Sequence, residues 1–279
     1  MSLRKLADEF LVWCASNVGK DAFRWRKRAL QSFCDYVGAV KAGDLTVRQV
    51  ERWLESKAWK PNTKTSARGA LQACLNWAVK RDMISVNPVK KLGIGSYTNA
   101  ERILTAEERT RARAAVKDQQ FKDYLRVLEL TGARPFSEIA TLIADLVDFE
   151  NGVIVFERHK NAKKGKRRTV YLTPELTEIL RRRVAARPEG LLFRTTHQCP
   201  IDSKNMAHRL RLIAVRASIK RFNAYAYRHS YTADALERGL TTRVVAELVG
   251  DSAKTIEKYY DYLSQKRDAM KDAALRAVS

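Results

Sequence analysis

The sequence predicts a mainly α-helical protein with one small antiparallel β-sheet, divided into two domains. Three observations carry that prediction. Apolar residues recur at helical spacing through most of the chain, and a single pair of β-type runs flanks Asn151-Gly152. Near residue 90 the pattern breaks at Asn87-Pro88, which is followed by paired lysines, two glycines and polar residues. The expected division is residues 1–90, a linker at 91–101, and residues 102–279.

In the first part, Leu3, Leu6, Phe10 and Trp13 lie on one helical face, as do Phe23, Leu30 and Phe33 on a second helix. Thr46 reads as the start of a third, with Val47, Val50 and Leu54 inward. A fourth carries Leu71, Leu75 and Val79, and Asn87-Pro88 is expected to end it, because a residue before proline resists the α conformation. All five tryptophans fall in this region and read mainly as core; Trp25 and Trp59, set among arginines and lysines, could also lie against a sugar-phosphate backbone.

The second part opens with Thr105-Ala-Glu-Glu108, a capping-box signature. A helix through Tyr124, Val127 and Leu130 runs into Gly132-Ala133-Arg134-Pro135, and a further helix is expected from Ser137 to Leu142. Residues 146–156 (LVDFENGVIVF) predict a hairpin about Asn151-Gly152, and Thr169–Leu172 another strand. Thr173-Pro174-Glu175 starts the next helix, with an N-cap residue and proline in the first turn. From about Ile201 onward the pattern is helical.

Composition narrows the function. The 279 residues include 53 Lys+Arg against 31 Asp+Glu, a formal charge of +22, which points to a polyanionic partner and first to nucleic acid. No apolar run approaches membrane-span length, so no membrane role is expected. The first residues, MSLRKLADEF, read as an amphipathic helix rather than a signal peptide, and a cytoplasmic location is expected. Cys14, Cys34, Cys74 and Cys199 are scattered without a CxxC pair and read as buried thiols; the four histidines show no metal spacing. No phosphate-binding glycine loop and no GxSxG elbow are present.

Four features carry candidate chemistry. Seven Lys/Arg residues lie between Arg158 and Arg168, on a segment bridging two strands. Such a run is either a solvated loop or a basic finger entering a groove. Arg134 follows a helix end at Gly132, where its planar fork could be aimed at phosphate oxygens or could pair with Glu138. Arg228 lies on a helix among apolar and aromatic neighbours, so an internal acid or a bound phosphate must satisfy it. Tyr259 and Tyr260 are core aromatics or, beside arginines that lower the phenol's pKa, a nucleophile.

In this order the segments resemble the tyrosine recombinases, the phage integrase family, over nearly the whole chain. TGARPFSEIATL (131–142) resembles the first arginine box and HKNAKKGKRRTVYLTPE (159–175) the hairpin lysine segment. YAYRHSYTADALERG (225–239) resembles the H-x-x-R-H box, and VAELVGDSAKTIEKYYDYL (245–263) the box bearing the nucleophile. The resemblance implies a helical, SAM-like core-binding domain at 1–90 and an α+β catalytic domain at 102–279, closing as a clamp on double-stranded DNA. It implies that Arg134 and Arg228 grip the scissile phosphate, that Lys160 donates a proton to the leaving 5′-oxygen (Lys163 or Lys164 failing that), and that Tyr260 forms a 3′-phosphotyrosyl link. Tyr260 is preferred to Tyr259 because it lies nine residues after Asp251, the family's usual spacing from its G-H histidine. Lys163, Lys164, Lys166, Arg167 and Arg168 are the implied DNA contacts. No metal or nucleotide cofactor is implied, since arginines supply the positive charge and the protein–DNA ester stores the bond energy. The implied assembly is a monomer in solution and a homo-tetramer on paired sites, with 264–279 exchanged between neighbours, acting at the nucleoid.

Three positions depart from the family pattern. Tyr225 stands at the first histidine of H-x-x-R-H. Ser137 stands where an acid is usual, with Glu138 one place late. Asp251 replaces the histidine of the G-H pair. A carboxylate about 5 Å from a phosphate is repelled by roughly 3 kcal/mol at an effective dielectric near 20, so Asp251 is expected to be protonated, paired with a cation, or turned away. The alternatives are a catalytically impaired DNA-binding or regulatory protein of the same fold, and a type IB topoisomerase-like enzyme that relaxes DNA without synapsis.

Overall fold

The structure, a computed structural model, describes residues 1–93, 95, 102–156 and 168–257. It divides into two compact units, Met1–Ala100 and Glu101–Ser279. Among the described residues there are ten α-helices and one three-stranded antiparallel sheet. No described helix is long and apolar enough to cross a membrane.

The first unit holds helices α1 (Leu3–Asn17), α2 (Lys20–Val37), α3 (Val47–Glu55) and α4 (Pro61–Val79). Thr46 and Gln49 close a reciprocal capping box on α3, satisfying two backbone donors at its first turn. The core is built from Leu6, Phe10, Leu30, Phe33, Trp53, Leu71 and Leu75. Trp53 is fully buried against the Phe33 ring, and its Nε1 donates to Ser32 Oγ at 3.3 Å. Trp25 and Trp59 pack on each other and on this core, and Trp25 Nε1 donates to the Ser66 carbonyl at 3.4 Å. Both are therefore half-buried structural aromatics.

Helix α4 ends at Val79, well before Asn87-Pro88. Asp82 takes a left-handed conformation (φ 55°), and the Asp82 and Met83 amides return to the Val79 and Ala78 carbonyls. This is a Schellman-type stop with aspartate in the place glycine usually fills. Asn87 has another task. It is buried, and its Nδ2 donates to Gln72 Oε1 and Asn76 Oδ1, both at 2.7 Å, tying the returning chain to α4. Cys14, Cys34 and Cys74 are buried as expected, and burial pushes the Cys34 thiol up to about 11; Cys199, in the second unit, is exposed, contrary to expectation.

The second unit comprises α5 (Ala106–Ala114), α6 (Gln119–Thr131), strands β1 (Val147–Asp148), β2 (Val153–Phe156) and β3 (Arg168–Tyr171), then α7 (Pro174–Ala186), α8 (Ser203–Arg216), α9 (Tyr225–Glu237) and α10 (Thr242–Val249). Helix α6 is its axis: Phe121, Tyr124, Leu125, Val127 and Leu128 are all buried, against α5, α7 and α9. Thr105 and Glu108 form the expected capping box on α5. The β1–β2 hairpin has a four-residue loop, pinned by Asp148 accepting from the Glu150 and Asn151 amides at 3.1 and 2.9 Å. Ile154 and Phe156 on β2, with Val170 on β3, face the core. A smaller cluster of Leu236, Val245, Val249 and Ile256 joins α9 to α10.

The helix expected at Ser137–Leu142 is only a 3₁₀ turn, Ile139–Thr141. The Ile139 amide returns to the Arg134 carbonyl and the Ala140 amide to that of Pro135, each five residues back. These wide turns absorb one extra residue between Arg134 and Glu138. The consequence is felt in the site.

Candidate active site

Gly132 ends α6 in the left-handed region (φ 57°). A Cβ there would lie 2.5 Å from Tyr231 Cδ1 on α9, so the position needs glycine both for its backbone and for the close approach of α9. The turn aims Arg134 inward. Its Nη1 donates to Glu138 Oε1 at 2.6 Å, its Nη2 to the Gly250 carbonyl at 2.6 Å, and its own amide to Glu138 Oε2 at 2.9 Å. Glu138 is completely buried, and the wide turn brings it to Arg134 despite its late place in the sequence.

Arg228 reaches the same point from α9. Its Nη1 donates to the Gly132 carbonyl at 2.9 Å and the Val249 carbonyl at 2.6 Å, and its Nη2 to Asp251 Oδ2 at 3.0 Å. The same Asp251 oxygen lies 3.7 Å from Arg134 Nη2. Of the three outcomes open to Asp251, the structure has the second: it is paired with cations. Asp251 is in place because α10 stops at Gly250, also left-handed (φ 67°), and the Asp251 amide turns back to the Ala246 carbonyl.

A third arginine completes the cluster. Arg168, proposed from sequence as a DNA contact, is only 2% exposed. It opens β3 in phase with buried Val170, so the pleat sends its side chain into the unit. Its Nε lies 3.7 Å from Glu138 Oε2, and its Nη1 donates to the Thr169 carbonyl at 2.8 Å and the Glu247 carbonyl at 3.4 Å. A side chain so enclosed does not meet a phosphate backbone, so Arg168 is not the DNA contact that its place in the basic run implies.

The end of α10 is thus the acceptor for all three arginines, through the carbonyls of Glu247, Val249 and Gly250. They lie in the last turn of the helix, at the negative end of its dipole, where carbonyls lack the usual amide one turn on; that of Glu247 also accepts from the Gly250 amide at 3.2 Å. Among the described residues, three guanidinium groups face two carboxylates, Glu138 and Asp251, leaving one positive charge. Burial lowers the pKa of Arg228 and Arg168; neighbouring Arg134 lowers Arg228 further, while Glu138 and Asp251 oppose it. Arginine starts high enough that each remains cationic near neutrality. The chemistry on offer is the binding of a singly charged oxyanion such as a phosphodiester.

The structure therefore brings together Arg134, Arg228 and Asp251 of the expected site. Tyr225 lies at the start of α9, partly exposed, its ring near those of Phe136 (6.2 Å) and His229 (6.4 Å). Lys160, Lys163, Lys164, Lys166, Arg167, Tyr259, Tyr260 and the tail 264–279 lie outside the described residues. Sequence reasoning offered Glu138 as a partner of Arg134 without counting it among the site residues, and it misplaced Arg168. The alternation of Arg168 with Val170 was the available signal. Among the described residues no group of three or more His, Cys, Asp or Glu is placed to hold a metal ion.

The chain and its fold are similar to several known proteins. The chain is 28% identical to the tyrosine recombinase XerA of Pyrococcus furiosus, over 90% of this chain and 94% of that one. Its fold matches the Tn1549 transposon integrase in complex with transposon right end DNA (TM-score 0.81, 16% identity, 100% of both chains). It also matches lambda integrase, solved as a tetramer bound to a Holliday junction (TM-score 0.70, 16% identity, 90% of this chain and 78% of that one). Residues 97–267, well over half the chain, match the phage integrase family. The chain belongs to that family, the tyrosine recombinases.

Proposed function

We propose that the protein is a site-specific DNA recombinase that cuts and rejoins duplex DNA through a 3′-phosphotyrosyl intermediate. The observation that carries the reading is the convergence of Arg134 and Arg228, from separate elements, on one point beside buried Arg168, which leaves one positive charge in excess. The two guanidinium groups hold the non-bridging oxygens of the scissile phosphate and stabilise the added charge of the pentavalent transition state. Tyr260 attacks phosphorus and its phenolic proton passes to water; the P–O bond to the 5′-oxygen breaks, and Lys160 protonates that oxygen. Attack by a 5′-hydroxyl on the phosphotyrosine reverses the step and joins the new strand. Tyr225 offers its hydroxyl to a phosphate oxygen.

In the first unit, Arg24, Lys27, Arg28 and Lys57 line one groove, a surface suited to the DNA backbone. Lambda integrase has been seen as a tetramer on a junction, which supports a tetramer on paired sites here, with 264–279 as the exchanged segment. The reaction takes place on DNA in the cytoplasm.

A second reading, a protein that binds DNA without cutting it, is favoured by one observation: Asp251 already sits on Arg228. A nicked suicide duplex carrying the native site separates the two. The wild-type protein is expected to give a covalent protein–DNA band on a denaturing gel, and Tyr260→Phe none, with Tyr259→Phe retaining it. No band from the wild type at its native site means the binding-only reading is correct. Relaxation of a supercoiled plasmid lacking that site would favour the topoisomerase-like alternative.

A further inference from the structure

We infer that Arg168 is a positioning residue of the cleavage site, acting on the scissile phosphate through Arg134. The inference rests on the strand-cleavage reading and adds a residue to it. Arg134 has two side-chain anchors, the Glu138 carboxylate and the Gly250 carbonyl. Both rest on Arg168. Glu138 Oε2 lies 3.7 Å from Arg168 Nε. A Cβ at Gly250 would lie 2.4 Å from Arg168 Cδ and 2.7 Å from Nε, so the backbone of that turn lies directly on the arginine stem.

Arg168 is also poorly satisfied for its burial. Among the described residues its Nε and Nη2 have no hydrogen-bond partner, although only 1% of the side chain is exposed. Glu138 is the one carboxylate within ion-pair distance of it among the described residues. A buried guanidinium held so loosely adds little to folding, and a packed apolar side chain of similar size would do as well. What it changes is the charge. Arg134 and Arg228 against Glu138 and Asp251 sum to zero; Arg168 makes the sum +1. By sharing Glu138 it leaves part of the Arg134 charge for the phosphate.

Single-turnover cleavage of the suicide duplex by the full chain, at saturating protein, tests this. Arg168→Met is expected to slow cleavage about 100-fold, the scale of losing one transition-state donor, with DNA affinity within about threefold of wild type. Arg168→Lys, which keeps the charge, is expected to recover at least about tenfold of that loss. The decisive variant is Arg168→Met with Glu138→Gln. Neutralising Glu138 restores the sum to +1, so the double variant is expected to cleave faster than Arg168→Met alone. A merely structural role makes it slower still, and that result overturns the inference. Should Arg168→Met fail to fold, Arg168→Gln takes its place with the same expectations. Wild type that cleaves, beside an uncharged variant within threefold of it, overturns the inference alone. Wild type that forms no covalent band overturns the cleavage reading and the inference with it.

Discussion

Around Glu129, three arginines from α5 and α6 are met carboxylate for cation: Arg109 by Glu129 and Asp234, Arg113 by Glu129, and Arg126 by Glu129 and Glu175. Around the end of α10, three arginines share two carboxylates and complete their bonding with main-chain carbonyls at the ends of α6 and α10. The first cluster has three acids for three bases and no charge to offer a ligand. The second meets its arginines partly with neutral acceptors and so keeps one charge unspent. Burial alone does not distinguish them, since Arg109 and Arg134 are equally enclosed, each with an 8% exposed side chain. The choice of partner does.

The largest effect should come from breaking the second cluster. Lysine at 228 keeps the charge, but it cannot span the Gly132 and Val249 carbonyls and Asp251 together. Arg228→Lys is expected to lower single-turnover cleavage about 10²–10³-fold with DNA affinity within a few-fold of wild type. Cleavage within tenfold of wild type would mean that this arginine is structural. The mirror experiment is Arg109→Met. Glu129 keeps Arg113 and Arg126, so the loss is expected to be about 2 kcal/mol, a fall of roughly 4–8 °C in melting temperature. Cleavage per folded molecule should not change. If it falls with the melting temperature, the two clusters are coupled and the contrast between them fails.

Asp251 is where the contrast can be sharpened. Asparagine keeps the size of the side chain and the acceptor for the Ser252 amide (3.1 Å) while removing the charge beside Arg228. Asp251→Asn raises the charge sum of the site from +1 to +2. Cleavage is expected to accelerate up to about tenfold, a part of the roughly 3 kcal/mol repulsion between two charges about 5 Å apart. An unchanged rate would mean that Asp251 swings away from Arg228 before the phosphate arrives.

Much of this was legible in the sequence where a local rule decides. Gly132 and Gly250 punctuate helices, Thr105 and Thr173 cap them, and Arg228 on an apolar helix face demanded partners. The misreadings share a cause: a local signal overruled by a contact distant in sequence. Arg168 looked like the last residue of a basic run, yet the strand pleat and Gly250, 82 residues on, make it interior. Ser137–Leu142 has helical spacing, yet the pull of Arg134 on Glu138 winds it into wide turns. Asn87-Pro88 looked like a helix stop, and the stop is Asp82. The pairing of Asp251 with Arg228 joins two boxes 23 residues apart, and periodicity carries no information about which acid a buried arginine will find.

The smallest effect lies at the rim of the balanced cluster and separates the two by pH. Arg126 grips Glu175 through two bonds of 2.6 Å, joining α6 to the first turn of α7. The hydrogen bond from Arg126 holds the Glu175 carboxyl below the ordinary carboxylate range. Because the folded pKa is the lower one, the stabilisation is complete above the unfolded value, about 4.3, and is lost as pH falls through the folded value. Glu175 is half exposed, with 49% of its side chain accessible, so water and salt screen the pair and it contributes less than about 1 kcal/mol. Glu175→Gln is therefore expected to melt less than about 4 °C below wild type at pH 7. That gap should close as the pH is taken below about 4, where the wild-type carboxyl also becomes neutral. A gap that stays constant from pH 7 to about pH 3 would show that Glu175 acts through packing or as an acid in the first turn of α7, not through the charge it shares with Arg126.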